Sequence, residues 1–345
     1  RKNMSWTKRI SIWIVVSLSL QCLGLFYIDH YFLATDSKAV SKKVVEDISA
    51  KVKDVDINIP ANAKNILASY DAKYISYYDD EKLVIVNCST GKTKNIKSED
   101  GCNVSFATWV PGRNRMVFVE KESDDESSDL ILYSYDVVKG EKVKTIKLDL
   151  GGTNPKVEDI QTSTLTGLIY VKVSNNANKS SIYRIDRNPD MSKIDTIPKL
   201  VGNIALIRHE DKLVYEGSVY NKIYVTGKSN AISMGDVDKL TLIGAADDDN
   251  IYLAQLKDNL ISKVYYGKTS QDTSTWKTID LQTPCAKENL LLSTGGKIYQ
   301  NDPLKGVIKD INSGTQTSYK GKFVQLYNKG VVSLVNNKIS FVLFK

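Results

Sequence analysis

Few residues in this sequence have the types and spacing that catalysis or metal binding requires. The chain contains two histidines, His30 and His209. His209 follows the apolar run IALIR, and the spacing of the surrounding residues suggests no thiolate or carboxylate partners for zinc. The sequence has no G-x-S-x-G elbow, no G-x-x-x-x-G-K-[ST] phosphate loop and no G-x-G-x-x-G element. We therefore predict no catalytic residue, no metal and no cofactor, and we expect that the chain is not an enzyme.

Three acidic clusters could offer carboxylates to Ca²⁺, namely Asp79–Glu81, Glu122–Asp129 and Asp247–Asp249. None of them has the regular ligand spacing of a calcium-binding loop. All three fall between predicted strands, so we interpret them as solvated hairpin tips.

Charge and cysteine content exclude two further classes of protein. The net charge is +7, but four positive charges lie in the first nine residues, and removing them leaves +3. No basic run alternates with aromatic residues, so a nucleic-acid partner is not predicted. Cys22 lies in an apolar run, and Cys88 and Cys102 fall on strands predicted not to be adjacent. A disulfide framework is therefore not expected.

The longest apolar run extends from Ile10 to Ile28 and contains nineteen residues without a formal charge. As a helix it would be ~28 Å long, close to the ~30 Å hydrocarbon thickness of a bilayer. Four basic residues precede the run, whereas Asp29 and Asp36 follow it. The positive-inside rule thus predicts a cytoplasmic segment over residues 1–9, a transmembrane helix over 10–28 and an extracytoplasmic remainder.

A cleaved signal peptide would share the basic start and the apolar run. This run is longer than the usual signal core, and the bulky sequence Phe26-Tyr27-Ile28 is not a small-residue cleavage site. We therefore favour an uncleaved single-pass anchor in the cell membrane.

Residues 29–54 are expected to connect this anchor to the rest of the chain. Val40, Val44, Ile48 and Val52 recur every four residues in a polar background, which predicts a short amphipathic helix. The helix could serve as a stalk, or it could dock on a partner or on the lipid surface.

From Ile66 onward, short runs rich in Val, Ile, Tyr and Leu are separated by Gly, Asn, Asp and Ser, which predicts an all-β domain. The runs repeat about every forty residues, the length expected for four strands per unit. One turn sequence recurs at matching positions, as Asn87–Gly91, Asp136–Gly140 and Asp310–Gly314. An Asx side chain that accepts from the following backbone, with glycine at positive φ, suits a tight hairpin.

The units are counted by their innermost strands, which are predicted to begin near Ile66, Val104, Val157, Ile204, Leu240, Leu290 and Phe323. The seventh unit has only three predicted strands. We predict that Val55–Ile59 supplies the fourth and closes a ring over residues 55–345, leaving no open sheet edge.

This arrangement resembles the β-propeller superfamily, and within it the degenerate TolB-like and quinoprotein-like propellers. The resemblance implies an all-β propeller of about seven blades. The sequence lacks the Gly-His and Trp-Asp signatures of WD40 repeats. The turns at Thr90-Gly91 and Lys139-Gly140 are not followed by the tryptophan that docks each quinoprotein blade. The resemblance therefore implies no quinone cofactor.

Residues 270–276, with the sequence SQDTSTW, resemble the Asp-box turn of sialidases, although they are one residue short. In that family Asp and Ser of the box bond to the backbone while Trp packs between blades, so the box is structural. A sialidase also needs three arginines that clamp the substrate carboxylate. The arginines beyond the basic start are Arg113, Arg115, Arg184, Arg187 and Arg208. Their positions make a glycoside hydrolase the weaker alternative.

We interpret the chain as an accessory or scaffold subunit of a bacterial membrane complex that works at the cell exterior. Polysaccharide synthesis or export, secretion and envelope assembly are suitable settings. The expected partner is an integral membrane protein, with an extracellular polysaccharide as a further ligand. The main alternative is a stand-alone module that binds cell-wall glycans.

Two regions are predicted to contact the partner. Ser17, Gln21 and Gly24 fall at i, i+4 and i+7, so they lie on one face of the membrane helix, where small and polar groups favour helix packing. On the propeller, we expect contact through the longer loops on one face. These loops are Glu122–Ser128, Gly151–Lys156, Asn175–Lys179 and Gln282–Glu288.

Overall fold

The three-dimensional structure is a computed structural model. It describes residues 6–27, 56–80, 82–99, 101–122, 130–150, 155–175 and 179–345. The chain divides near residue 51 into two compact units, and each is described by itself. The amphipathic helix predicted over residues 29–54 lies outside the described residues.

The described part of the first unit, residues 6–27, contains one helix, α1 (Trp6–Tyr27). Its 22 residues correspond to about 33 Å of helix, and the stretch Ile10–Tyr27 is long and apolar enough to cross a membrane. None of that stretch is buried within the chain. The predicted apolar helix is thus present as a candidate membrane span, although a signal sequence would meet the same criterion of length and composition.

In the second unit, the described residues form 26 strands in seven antiparallel sheets. Blade 1 contains β1 (Lys64–Ala68), β2 (Tyr74–Asp79), β3 (Lys82–Asn87) and β4 (Thr93–Asn95). Blade 2 contains β5 (Cys102–Trp109), β6 (Arg115–Glu122), β7 (Leu130–Asp136) and β8 (Glu141–Leu148). Blade 3 contains β9 (Lys156–Thr162), β10 (Ile169–Asn175), β11 (Lys179–Ile185) and β12 (Met191–Ile194).

The remaining four blades are less uniform. Blade 4 contains β13 (Val201–Leu206), β14 (Leu213–Gly217) and β15 (Lys222–Val225). Blade 5 contains β16 (Leu240–Ala245), β17 (Ile251–Lys257), β18 (Leu260–Gly267) and β19 (Lys277–Ala286). Blade 6 contains β20 (Leu290–Leu292), β21 (Ile298–Asp302), β22 (Val307–Asp310) and β23 (Gln316–Ser318). Blade 7 contains β24 (Lys322–Tyr327), β25 (Gly330–Val335) and β26 (Lys338–Leu343).

The sheets are arranged as a seven-bladed β-propeller, which confirms the predicted fold. The innermost strands β1, β5, β9, β13, β16 and β20 contact one another in that order, and β24 of the last blade contacts β1. Each of the seven predicted innermost strands is present. One expectation was wrong: blade 4 has three strands among the described residues, because the chain after Val225 forms no fourth strand.

Seven hydrophobic clusters of described residues hold the ring together, one between each pair of neighbouring blades. Strand β6 shows how the sequence divides between two of them. Met116 and Phe118 pack toward blade 1, whereas Val117 and Val119 pack toward blade 3. Successive side chains of a strand point to opposite faces, so a run of apolar residues buries both faces of the sheet.

The ring closes through the segment before the first blade, as predicted. Asn58 pairs with Lys338 of β26, the Ile59 N–H donates to the Asn337 carbonyl (2.7 Å), and Ile57 accepts from the Ile339 N–H (3.0 Å). Ile57 and Ile59 are buried in the cluster between blades 7 and 1. The N-terminal segment therefore takes the place of a fourth strand in blade 7.

The recurring turns also have the predicted chemistry. The Asp136 side chain accepts from the N–H groups of Val138 (3.1 Å) and Lys139 (3.0 Å), and Gly140 has φ +76°. Asn87 and Asp310 accept from the two corresponding N–H groups of their own turns. Glycine adopts positive φ without a Cβ clash, which explains its place at the fifth position.

We predict that Ile59→Ala destabilises the propeller by about 2–5 kcal/mol, because Ile59 is 2% exposed and its truncation leaves a cavity at the closure. The measurement is the free energy of unfolding of the full chain from chemical denaturation. The control is Val138→Ala at a side chain that is 72% exposed, where we expect a change within about 0.5 kcal/mol. Equal effects of the two substitutions would show that the closing segment does not contribute to stability.

Candidate functional site

The predicted contact residues of the first unit lie together on α1. Ser17, Gln21 and Gly24 are exposed, and their spacing places them on one face of the helix. A Cβ at Gly24 would meet no described atom outside the helix within 4 Å. This face has the small and polar character that helix packing in lipid uses, and the packing itself stays a prediction.

Of the four predicted contact loops of the propeller, three lie mostly outside the described residues and one lies mostly in a strand. Residues 123–129, 151–154 and 176–178, which contain most of three of these loops, lie outside the described residues. The fourth, Gln282–Glu288, is mostly not a loop, because β19 continues to Ala286 and pairs with the start of β18. Ladder hydrogen bonds hold this segment in the sheet.

We name the two sides of the ring by their turns, with the strands of each blade called A to D from the centre outward. The A–B turns and C–D turns lie on the A–B face. The B–C turns and the connections between blades lie on the B–C face.

His209 lies on the A–B face in the first turn of blade 4. Its Nδ1 is 2.9 Å from Asp249 Oδ1, and its backbone N–H donates to the same oxygen (3.0 Å). Asp249 belongs to the first turn of blade 5. Burial would raise the pKa of Asp249, but the hydrogen bonds from His209 outweigh this effect and its pKa is lowered. Sequence spacing missed this carboxylate partner of His209, since 40 residues separate the two.

The acidic cluster Asp247–Asp249 is therefore not only a solvated hairpin tip. Asp247 forms an ion pair with Arg208, and its N–H donates to the Thr294 carbonyl of blade 6 (2.8 Å). The first turns of blades 4, 5 and 6 are thus linked by polar contacts. Among the described residues, no group of three His, Cys, Asp or Glu side chains is placed to hold a metal ion.

A second polar cluster joins blades 3 and 4 on the same face. Arg184 Nε and Nη2 lie 2.9 and 2.7 Å from Asp211 Oδ2, and the buried Tyr170 hydroxyl donates to Asp211 Oδ1 (2.6 Å). The hydrogen bonds from Arg184 are the main cause that lowers the pKa of Asp211. Arg115 pairs separately with Asp136 within blade 2. These arginines are each engaged with a different carboxylate, and they do not converge as a substrate clamp.

The Asp-box-like turn lies at the outer part of blade 5. The Asp272 side chain accepts from the Ser274 N–H (2.8 Å) at the start of a 3₁₀ turn over Thr273–Thr275. Trp276, which is 7% exposed, packs in the cluster between blades 4 and 5. The Asp272 bond and the tryptophan packing agree with the structural role that the resemblance implied.

A cavity of about 440 Å³ lies beside this turn. One wall is the segment Gly227–Ser233, which follows β15 where a fourth strand of blade 4 would be expected. The other wall contains Thr269, Gln271, Thr273 and Trp276. The cavity thus exists because blade 4 lacks an outer strand.

The B–C face carries a group of exposed apolar side chains on consecutive blades. Tyr220 in the B–C turn of blade 4 is 75% exposed, and Leu304 in the B–C turn of blade 6 is 98% exposed. The same face exposes Ile197, Val219 and Leu260. We call these five side chains the apolar B–C patch, and they mark this face as a candidate contact surface.

Comparison with known proteins shows the fold but no family. No family model matches the sequence, and no curated protein matches it. An oligogalacturonate lyase from Vibrio parahaemolyticus is similar in structure, with 11% identity over 83% of this chain and 92% of the lyase, and a TM-score of 0.56. The Cps50 (Swd1) β-propeller domain of Myceliophteria thermophila has 9% identity over 84% and 99% of the two chains, with a TM-score of 0.53. These similarities establish a shared β-propeller architecture.

The expectation that the chain is not an enzyme is corrected by this comparison. The lyase carries a catalytic activity on the same fold without close similarity in sequence. The absence of a familiar motif from this sequence therefore does not separate it from the enzymes of this fold.

We predict that Asp211→Ala destabilises the protein by about 1–3 kcal/mol at pH 7, because it leaves the buried Tyr170 hydroxyl without an acceptor. The folded-state pKa of Asp211 is lowered, so its ionised form contributes stability above the unfolded-state pKa of about 3.9. That contribution is lost as the pH falls through the lower folded-state pKa.

Chemical denaturation at pH 7 and below pH 4 measures this difference. The destabilisation by Asp211→Ala should shrink at the lower pH, because the wild-type carboxylate is then being protonated. Asp195→Ala removes an exposed carboxylate elsewhere and should change stability little at either pH. A penalty for Asp211→Ala that does not depend on pH would contradict the role of the ion pair.

Proposed function

We propose that this protein is a single-pass membrane protein whose propeller lies outside the cell and serves as an accessory subunit of a membrane complex. Three features support the proposal. Helix α1 is apolar over the length of a bilayer, the basic residues lie on its N-terminal side, and a rigid propeller follows it. The orientation places the N-terminus in the cytoplasm.

The partner is an integral membrane protein that α1 contacts within the bilayer. Ser17 and Gly24 allow close approach of a second helix, and Gln21 supplies an amide that can donate and accept across the helix interface. The remaining described side chains of the central part of α1 are largely apolar, so this face is the polar exception along the span.

We propose that the propeller contacts its partner through the apolar B–C patch. Four of the patch's five side chains belong to turns and connections, which tolerate polar residues without cost to the fold, and the fifth, Leu260, begins β18. Burial in this chain therefore does not explain their apolar character. A protein surface in the same membrane complex would bury them, as aromatic and apolar residues are buried at the centres of interfaces. Polysaccharide synthesis or export, secretion and envelope assembly are the processes in which such a subunit would act.

We predict that the triple substitution Ser17→Leu, Gln21→Leu and Gly24→Leu preserves membrane insertion but weakens the complex. Loss of close packing and of the amide hydrogen bond, worth ~0.6–2 kcal/mol, corresponds to roughly 3- to 30-fold lower affinity. Native purification in mild detergent, with quantitation of co-purified protein, measures the effect. The control is Ser19→Leu with Cys22→Leu on the opposite side of the helix. Equal recovery of the co-purified protein with all variants would show that this face of α1 does not contact the partner.

We predict that Tyr220→Asp with Leu304→Asp lowers partner recovery about tenfold or more, because the pair places charges on the two most exposed side chains of the apolar B–C patch. Val138→Asp is the matched control, since Val138 is also largely exposed but lies in a C–D turn on the A–B face. Purification of the wild-type protein alone and monomeric, without any partner, would contradict the proposed function as a whole.

A further inference from the structure

The cavity beside blade 5 is built by the departure of blade 4 from the four-stranded pattern. After β15 the Lys228 N–H donates to the Val225 carbonyl (3.1 Å), and Gly227 has φ +78°, so the chain turns back. The Ile232 N–H then donates to the Ile223 carbonyl at the outer edge of β15 (2.8 Å). This path leaves the cavity open beside Trp276.

The lining of the cavity is polar but almost uncharged. Among the described residues the lining contains no carboxylate and one cation, Lys228, whose Nζ is 2.7 Å from the Thr269 carbonyl of the facing wall. The other polar side chains are hydroxyls and amides, which are Ser229, Asn230, Ser233, Thr269, Gln271 and Thr273. Hydroxyls and side-chain amides both donate and accept hydrogen bonds, so together they match a ligand that does the same.

Trp276, which is 7% exposed, adds only a small apolar area to this polar lining. The indole is fixed against Gly267, where a Cβ would lie only 2.6 Å from the ring, so its position does not depend on a ligand. Its buried Nε1 has no hydrogen-bond acceptor among the described residues. This nitrogen is closed off from solvent, so only the exposed part of the indole is available to a ligand.

We propose that this cavity binds a neutral saccharide. The hydroxyl groups of a neutral sugar both donate and accept hydrogen bonds, which fits the hydroxyl and amide side chains of the lining. An anionic ligand would require cations that the lining lacks beyond Lys228. A peptide that adds as a strand would need the edge of β15, where Ile232 already occupies the Ile223 carbonyl.

The proposal does not depend on the membrane partner, so it is tested separately. Full-length protein is reconstituted in lipid nanodiscs, because detergents with sugar headgroups would compete for the cavity. Isothermal titration calorimetry then measures binding of neutral tetrasaccharides of glucose and of N-acetylglucosamine. An acidic oligogalacturonate is the comparison for charge.

Two variants are expected to weaken binding by different routes. Asn230→Ala with Gln271→Ala removes amide contacts and should lower the affinity for the neutral saccharide about tenfold or more. Ser229→Trp fills the cavity and should have a similar effect while keeping both amides. The matched control is Asn188→Ala, which removes an exposed amide from a turn of blade 3 and should bind like the wild type. Equal midpoints of thermal unfolding establish that all variants are folded.

Three results would overturn the proposal. The first is that the wild-type protein binds neither neutral saccharide. The second is that both cavity variants retain wild-type affinity, which would place binding elsewhere. The third is tighter binding of the acidic oligosaccharide, which would assign the ligand to a different chemical class.

Discussion

Each sheet of this protein is apolar on both faces, and the rest of the structure depends on that constraint. Strands β6 and β17 alternate their side chains between the clusters on either side of the blade. A single blade, or an open row of blades, would leave apolar surface in water at each end. Only a ring gives every face a partner. The closing contact of Ile57 and Ile59 with blade 7 follows from the same requirement.

Both faces of the ring carry polar contacts between blades, and exposed apolar side chains are found in the turns. On the A–B face, polar side chains link the first turns of neighbouring blades, as Asn114 does with Asp71, Arg208 with Asp247 and His209 with Asp249. On the B–C face, Lys287 pairs with Glu216, and blades 4 to 6 also expose the side chains of the apolar B–C patch. Polar links between turns hold the blades in register, whereas exposed apolar side chains gain free energy only when something else covers them. The exposed apolar side chains of blades 4 to 6 are why we place the proposed protein contact on the B–C face.

The cavity that we interpret as a ligand site lies beside blade 4. Blade 4 lacks an outer strand, and the polar segment that replaces it faces the Asp-box-like turn of blade 5. The turn keeps Trp276 in place through the Asp272 cap and packing against Gly267. The Asp-box-like turn of blade 5 thus lines a candidate ligand site because blade 4 has no outer strand to cover it. The lyase of the same fold shows that the propeller architecture does not by itself decide between binding and catalysis.

The sequence by itself determined the features that depend on residues close together in the chain. Strand periodicity, the Asx–glycine turns and the apolar helix follow from local backbone and side-chain chemistry, and blade counting with ring closure follows from their repetition. Only the tertiary structure decided which turns meet. His209 and Asp249 are distant in sequence but lie at equivalent positions of adjacent blades, so the ring brings them to 2.9 Å. The missing strand of blade 4 and its cavity could not be predicted from the local sequence either. Strand formation at a sheet edge depends on packing against the neighbouring blade.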